Sequence, residues 1–294
     1  MAKASTASQI LKKRALKQQR GPYVKILKWS LWLVLFLMFL TAGATAGLFF
    51  YMNQDLPKIG SLKDYRPPIV TTVYSDDNRN IAEFYKERRV VMPMAQLPAR
   101  LRQAFISAED SRFYKHQGID VFSIARAFFK NIEAGAIVQG GSTITQQVTK
   151  SFLLTPERSY ERKVKEAILA YQIDKTFTKD EILYLYLNQI YFGSGAYGVE
   201  AAAQTYFGKP VKDLALAECA LLAGIPRSPK YYSPFTSRDS ALSRRTHVLN
   251  RLIATGTITE AQAREASRMP LPAQPTVQHK GPAPAPYFVE YIRQ

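Results

Sequence analysis

The chain has 294 residues, 47% of them hydrophobic and 12% aromatic, which is enough apolar material for one large or two small domains and too much for a disordered chain. Its single cysteine, Cys219, excludes an internal disulfide and argues against a Cys-based zinc site. The net charge of +17 is uneven: eight bases and no acid lie in the first 54 residues, leaving 32 bases against 23 acids, so much of the excess belongs to a short tail and no nucleic-acid partner is expected.

Residues 1–28 are that basic tail, with Lys3, Lys12, Lys13, Arg14, Lys17, Arg20, Lys25 and Lys28. Residues 29–53 carry no charge and are apolar over 31–40 and 48–51, a length that predicts a transmembrane helix. A cleaved signal peptide is the competing reading, with the small residues 42–47 as its processing region. The positive-inside rule then puts the tail in the cytoplasm and everything after Asp55 on the outer side, the bases serving orientation and contact with anionic lipid. Residues 54–97 read as a linker, with Pro57, Pro67 and Pro68, leading to two strands over 69–74 and 81–85 around a polar turn, with 88–92 a third candidate.

From Pro98 helical patterns take over. Leu101, Ala104, Phe105 and Ala108 recur at helical spacing, so Glu109-Asp110 falls where a helix gives way to a turn at His116-Gln117-Gly118. Phe113, Tyr114 and Phe122 lie nearby in sequence, and apolar surroundings suit a carboxyl to proton transfer near neutral pH. Glu109 is therefore the first catalytic candidate, against the commoner occurrence of a solvated acidic pair at a helix end. A helix over 121–133, stopped by Gly135, carries Phe122, Ala125, Phe129 and Ile132 on one face, and Phe122, Phe128 and Phe129 read equally as core or as residues that dip into a membrane. Gly140-Gly141 leads to an expected N-cap at Ser142, and a helix over 143–152 sets Ile144, Val148 and Phe152 on one face with Thr143, Gln147 and Lys150 on another. The next helix, 157–176, aligns Arg158, Arg162 and Glu166, with Lys163 alongside and Val164, Ala167, Ile168 and Tyr171 opposite. Two helices that each present cations have the composition needed to hold a diphosphate; an ordinary surface ion-pair ladder has the same spacing.

The remaining signals are weaker. Gly193-Ser-Gly-Ala-Tyr-Gly198 matches a dinucleotide-loop pattern but follows a helix capped by Thr178 and Glu181 instead of a strand, which argues against that reading. His247 and His279 stand apart from other ligand types, and Tyr191-Phe192 and Tyr206-Phe207 read as core. Residues 242–256 and 259–268 read as closing helices with no assignable chemistry.

Taken in order, Glu-Asp-x-x-Phe-x-x-His-x-Gly-x-Asp at 109–120, Gly-Gly-Ser-Thr-Ile-Thr-Gln-Gln at 140–147, Arg-Lys-x-x-Glu at 162–166 and Glu-Ile-Leu-x-x-Tyr-Leu-Asn at 181–188 resemble the motifs of the peptidoglycan glycosyltransferase domain of class A penicillin-binding proteins. Ala-Ala-x-x-Tyr-Phe-Gly-Lys at 202–209 and Leu-Ala-Gly-Ile-Pro at 222–226 extend the likeness, which covers about residues 65–235. It implies a mainly α, lysozyme-like domain over 98–268 with a small β-hairpin region, preceded by the one transmembrane helix. By the same likeness Glu109 is the general base that deprotonates the acceptor sugar, and Glu166 a second essential glutamate near the donor. Lys150, Arg158, Arg162 and Lys163 fall on positions around the donor phosphates, and Asp110, Phe113, His116, Thr143 and Gln147 on positions lining the cleft. The substrates implied are lipid II and the growing glycan strand, with membrane lipids and cell-wall synthesis or regulatory proteins as partners, Mg or Mn as the cofactor and no organic one. Ser151 and Tyr184 depart from the pattern, where Asn and Glu are commoner. No transpeptidase motif set appears, and Pro-rich 269–294 reads as a linker toward such a domain, so a fragment of a longer bifunctional protein is expected. A membrane-bound muramidase and a non-catalytic wall-assembly scaffold are the alternatives; the cationic set argues against the first and the retained glutamates against the second.

Overall fold

The computed structural model describes residues 25–44, 47, 56, 57, 59, 71–78, 80–84, 88–136, 140–154, 159–276 and 291. It divides into two compact units, Met1–Leu56 and Pro57–Gln294. In the first, helix α1 (Lys25–Ala44) has 20 residues and leaves Trp29, Trp32, Phe36, Phe39 and its leucines exposed. At 1.5 Å per residue it is about 30 Å long, the thickness of a bilayer's hydrocarbon core. It begins four residues earlier than the uncharged stretch, with Lys25 and Lys28 in its first turn, while most of 45–53 lies outside the described residues.

The second unit opens with a hairpin, β1 (Thr71–Tyr74) antiparallel to β2 (Asn80–Phe84), with Thr71 opposite Phe84 and a register shift at Tyr74. Asn78 takes φ 64° in the turn, a left-handed conformation that Asn tolerates better than most residues. The third expected strand does not join this hairpin. β3 (Arg88–Arg89) pairs in parallel with β4 (Ala196–Tyr197), more than a hundred residues away, and Asn188 fixes the join by accepting from Met92 N at 2.8 Å and donating to Met92 O at 3.1 Å.

The rest is helical: α2 (Ala99–Glu109), α3 (Val121–Ala134), α4 (Ile144–Leu153), α5 (Tyr160–Thr176), α6 (Lys179–Gln189), α7 (Val199–Phe207), α8 (Leu216–Gly224), α9 (Pro229–Tyr232), α10 (Arg238–Ala254) and α11 (Glu260–Arg268). α8 is the centre. Seven of its nine residues, Cys219 among them, are buried, and α2 and α10 pack against it and each other. A helix apolar on all sides needs such neighbours. A second group packs α4 onto α5 and α6. Phe105 ties the groups together: it projects from α2 edge-on to Tyr186 of α6 at 6.0 Å and to Phe192 at 5.9 Å. Capping boxes start α4 at Thr143 and Gln146, and α6 at Thr178 and Glu181.

The faces of two helices bear on the sequence reading: α3 takes one of the two orientations left open, and α5 departs from its pattern. On α3, Phe122, Phe128, Phe129 and Ile132 are at least 60% exposed and Ala127 is the one buried residue, so its apolar stripe faces outward. On α5 the buried residues are Glu166, Leu169, Ala170 and Ile173, whereas Val164 and Tyr171 are exposed. The sequence pattern treats Glu166 as part of a polar face; folding buries it, which two adjacent cations make tolerable.

Candidate active site

Glu109 is the last residue of α2, and its side chain retains 13% exposure. Gln147 of α4 donates from Nε2 to Glu109 Oε2 at 2.9 Å, and Arg244 Nη2 of α10 lies 3.5 Å from Oε1. Tyr114 and Phe122 are 56% and 71% exposed, and Phe113 is fully buried against Tyr114 and His116. The ring that bears on the site is Tyr186: burial raises its hydroxyl well above the ordinary tyrosine value, and the charges of Glu109 and Asp110 raise it further against Arg244.

Asp110, the next residue, caps α2 and points inward. Its Oδ2 accepts the Ile144 amide at 3.1 Å, at the N-terminus of α4, and meets His116 Nε2 at 2.9 Å. A carboxylate at a helix N-terminus satisfies an amide that the helix itself cannot. Thr143 is the N-cap, one residue later than expected. Its hydroxyl donates to Gly118 O at 2.6 Å while accepting from Gln146 N. Asp110, Phe113, His116 and Thr143 are thus all buried, and the polar atoms of three of them bind the 110–118 turn to the start of α4. They lie behind Gln147, which stands one turn into α4 and meets Glu109.

The cationic side is built on α5, which starts at Tyr160 with Ser159 as its cap, three residues later than expected. Glu166 is held between Arg162, at 3.3 Å, and Lys163, which also donates from Nζ to Ser142 Oγ at 3.0 Å. Lys163 keeps 49% exposure and joins α5 to the Gly-rich approach to α4. Lys150 is exposed on α4 and pairs with no acid among the described residues. Arg158 lies outside the described residues. Of the departures, Ser151 is exposed on α4, and Tyr184 is half-buried with its carbonyl accepting from Asn188. No three His, Cys, Asp or Glu side chains converge among the described residues, and both Glu166 oxygens are taken by cations.

Arg244 escaped the sequence reading, although a signal for it exists. Ala241, Val248, Leu249 and Leu252 form the buried stripe of α10, and Arg244 and Arg245 interrupt it. A charged residue at an apolar-stripe position requires a partner. Arg245 finds two carbonyls, Met269 O at 2.8 Å and Ser267 O at 2.9 Å; Arg244 finds Gly224 O at 3.2 Å and Glu109.

Comparison with known sequences gives a match to the family model described as Transglycosylase over residues 77–253. The chain is 45% identical over 264 residues to "Penicillin-binding protein 1A" of Rickettsia bellii (strain RML369-C), covering 88% of this chain and 33% of that protein. To the protein of that name in Escherichia coli (strain K12) it is 43% identical over 274 residues, covering 92% and 32%. The chain therefore spans about a third of the length of the curated relatives it matches. The crystal structure of Penicillin-Binding Protein 1A from Haemophilus influenzae aligns with 78% of this chain and 24% of its own, at 25% identity and a TM-score of 0.42.

Proposed function

The chain belongs to the transglycosylase family, and from that premise we propose that it is a peptidoglycan glycosyltransferase that polymerises lipid II into glycan strands. The observation that carries this reading is the pairing of one partly open carboxylate, Glu109, with a separate cationic set on α4 and α5. Glu109 takes the proton of the acceptor sugar's 4-hydroxyl as that oxygen attacks the donor's anomeric carbon. The bond to the lipid diphosphate breaks as the new bond forms, the electron pair leaves with the diphosphate, and configuration at the carbon inverts.

A diphosphate is a good leaving group once its charge is met, so the site needs no strong acid opposite Glu109. Lys150, Arg158, Arg162 and Lys163 supply that charge, and Glu166 holds two of them at fixed positions. Mg or Mn would add charge neutralisation as a counter-ion carried on the diphosphate. Gln147 orients the base directly. Asp110, Phe113, His116 and Thr143 act one layer behind it.

The lipid-linked substrate also gives a use to surfaces the core leaves uncovered. α1 is the anchor, with the basic tail on the cytoplasmic side and the catalytic unit outside. The outward phenylalanines of α3, interspersed with Arg126 and Lys130, suit contact with the membrane surface that presents lipid II.

The test is to incubate the detergent-solubilised chain with labelled lipid II and Mg or Mn and to resolve glycan length on a gel, with Glu109→Gln alongside. Long strands from the wild type alone are expected. Wild-type turnover by Glu109→Gln, or cleavage of preformed glycan in place of synthesis, would overturn the assignment.

A further inference from the structure

Because Glu109 is the last residue of α2, the direction of its side chain depends on where that helix stops. Successive residues of an α-helix are rotated by about 100°, so a last turn that frayed or ran on would carry Glu109 away from Gln147. Arg251, in the last turn of α10, bonds the chain on both sides of this point. Its Nε donates to Ser107 O at 3.1 Å and its Nη2 to Ser111 Oγ at 3.0 Å, two residues before and two residues after Glu109. We propose that Arg251 is a positioning residue for glycosyl transfer, ending α2 at Glu109 and so fixing the direction from which the base meets the acceptor hydroxyl; this rests on the reading of Glu109 as the base.

Three observations support that role. First, α2 lacks the means to finish its own end. It has no basic residue in its last turn, and Asp110 N closes on Ile106 O at 2.9 Å, but among the described residues no backbone amide reaches Ser107 O. The last carbonyls of a helix need donors from outside it, and a cation there meets the negative end of the helix dipole. Arg251 supplies both from 144 positions away in the chain. Second, the arginine is itself anchored. Thr255, the C-cap of α10, donates its N–H to Arg251 O and sets its hydroxyl 3.1 Å from the same carbonyl and 3.0 Å from Ser107 Oγ. The end of α10 therefore holds the buried Ser107 twice, once through Arg251 and once through Thr255. Third, both arms of the guanidinium are spent on the two residues that flank Glu109, and among the described residues Arg251 bonds no carboxylate. A planar fork can serve a carbonyl and a hydroxyl at once, which the single ammonium of a lysine cannot do in the same geometry. Arg245 offers a contrast on the same helix. It is buried and also donates to two carbonyls, Met269 O and Ser267 O, but these lie at the end of α11.

The experiment measures lipid II polymerisation by the full chain in detergent for wild type, Arg251→Gln, Arg251→Lys, Ser111→Ala and Arg245→Gln. The thermal midpoint of each is recorded, and rates are taken per folded molecule well below it. Arg251→Gln is expected to lower kcat about tenfold with KM within about twofold of wild type, because a misplaced base slows the chemical step and leaves substrate binding alone. Arg251→Lys keeps the charge without the fork and should recover only part of that rate. Ser111→Ala removes one arm and should lower kcat about threefold. Arg245→Gln should lower the midpoint while kcat per folded molecule stays within about twofold of wild type. An unchanged kcat per folded molecule in Arg251→Gln would overturn the proposal, as would an equal loss in Arg245→Gln or a rise in KM with kcat kept. If Arg251→Gln does not fold, Ser111→Ala decides alone: a lower kcat at a kept midpoint supports the role, and an unchanged kcat ends it. An inactive wild type, or an active Glu109→Gln, is instead a failure of the base assignment.

Discussion

Single residues in this protein are fixed by where their polar atoms find partners. Asp120 caps α3 by accepting Ser123 N at 3.1 Å and Ser123 Oγ at 2.6 Å, and it pairs with Arg112 at 3.3 Å. Burial pushes its carboxyl up, but the Ser123 hydrogen bonds, with the charges of Arg112 and His116 behind them, outweigh burial and hold it below its ordinary 3.8. The folded protein thus binds this proton less readily than the unfolded chain. The resulting stability is present above the ordinary value and is lost as pH falls through the folded one. Asp120→Asn still caps the helix but lacks the charge, so it should cost about 1 kcal/mol at pH 7. In urea titrations that difference should shrink below about pH 4. Gly118 is fixed by shape. It has φ +79°, Thr143 donates to its carbonyl, and a Cβ there would lie 2.3 Å from Ala170 O. Gly118→Ala should cost about 3 kcal/mol or more in the same assay, because backbone strain and a backbone clash add. The glycine and the N-cap region were visible in the sequence. The Thr143–Gly118 bond was not, because it joins residues 25 positions apart whose meeting depends on the whole packing of α4 on α5.

At the scale of elements, periodicity found the helices, misjudged what α5 faces and left the face of α3 undecided. α2 ends at Glu109 as its spacing predicts, and α6 starts at the Thr178–Glu181 box. For α5 the pattern put Val164 and Tyr171 inside and Glu166 outside, and the reverse holds, because a buried Glu with two cations beside it reads in sequence like an ordinary surface ladder. For α3 the amphipathic pattern is real and its apolar stripe is exposed, with Ala127 the one buried residue. A stripe this apolar on a water-facing surface is unusual, which is why a lipid surface is its expected cover. The single native cysteine is buried in α8, where burial raises its thiol to about 12, so an introduced surface thiol can be labelled selectively. An environment-sensitive fluorophore on Phe129→Cys should shift to the blue when the chain is reconstituted into anionic vesicles, and the same label on Glu265→Cys of α11 should not. Equal spectra at the two sites would leave α3 as a solvent-exposed face.

At the scale of the whole molecule, folding and substrate access are separable. Among the described residues the buried hydrophobic core runs from Leu97 onward, and Met1–Leu56 and Pro57–Gln294 are distinct compact units. Every described residue of the candidate site, from Glu109 to Arg244, belongs to the second unit. Residues 57–294 alone should therefore unfold cooperatively within about 2 °C of the full chain, since the described core lies within them. Their activity should depend on how the substrate is supplied. Lipid II dispersed in detergent meets either protein by diffusion in three dimensions, so rates there should agree within a few-fold. Lipid II in vesicles is confined to a surface, and α1 confines the enzyme to the same surface, which raises the effective concentration of each for the other. Removing α1 takes that confinement away, so turnover on vesicles should fall by about tenfold or more while the detergent rate holds. Equal losses in both media would show that α1 contributes to the catalytic unit itself, and equal retention in both would make α3 a sufficient anchor.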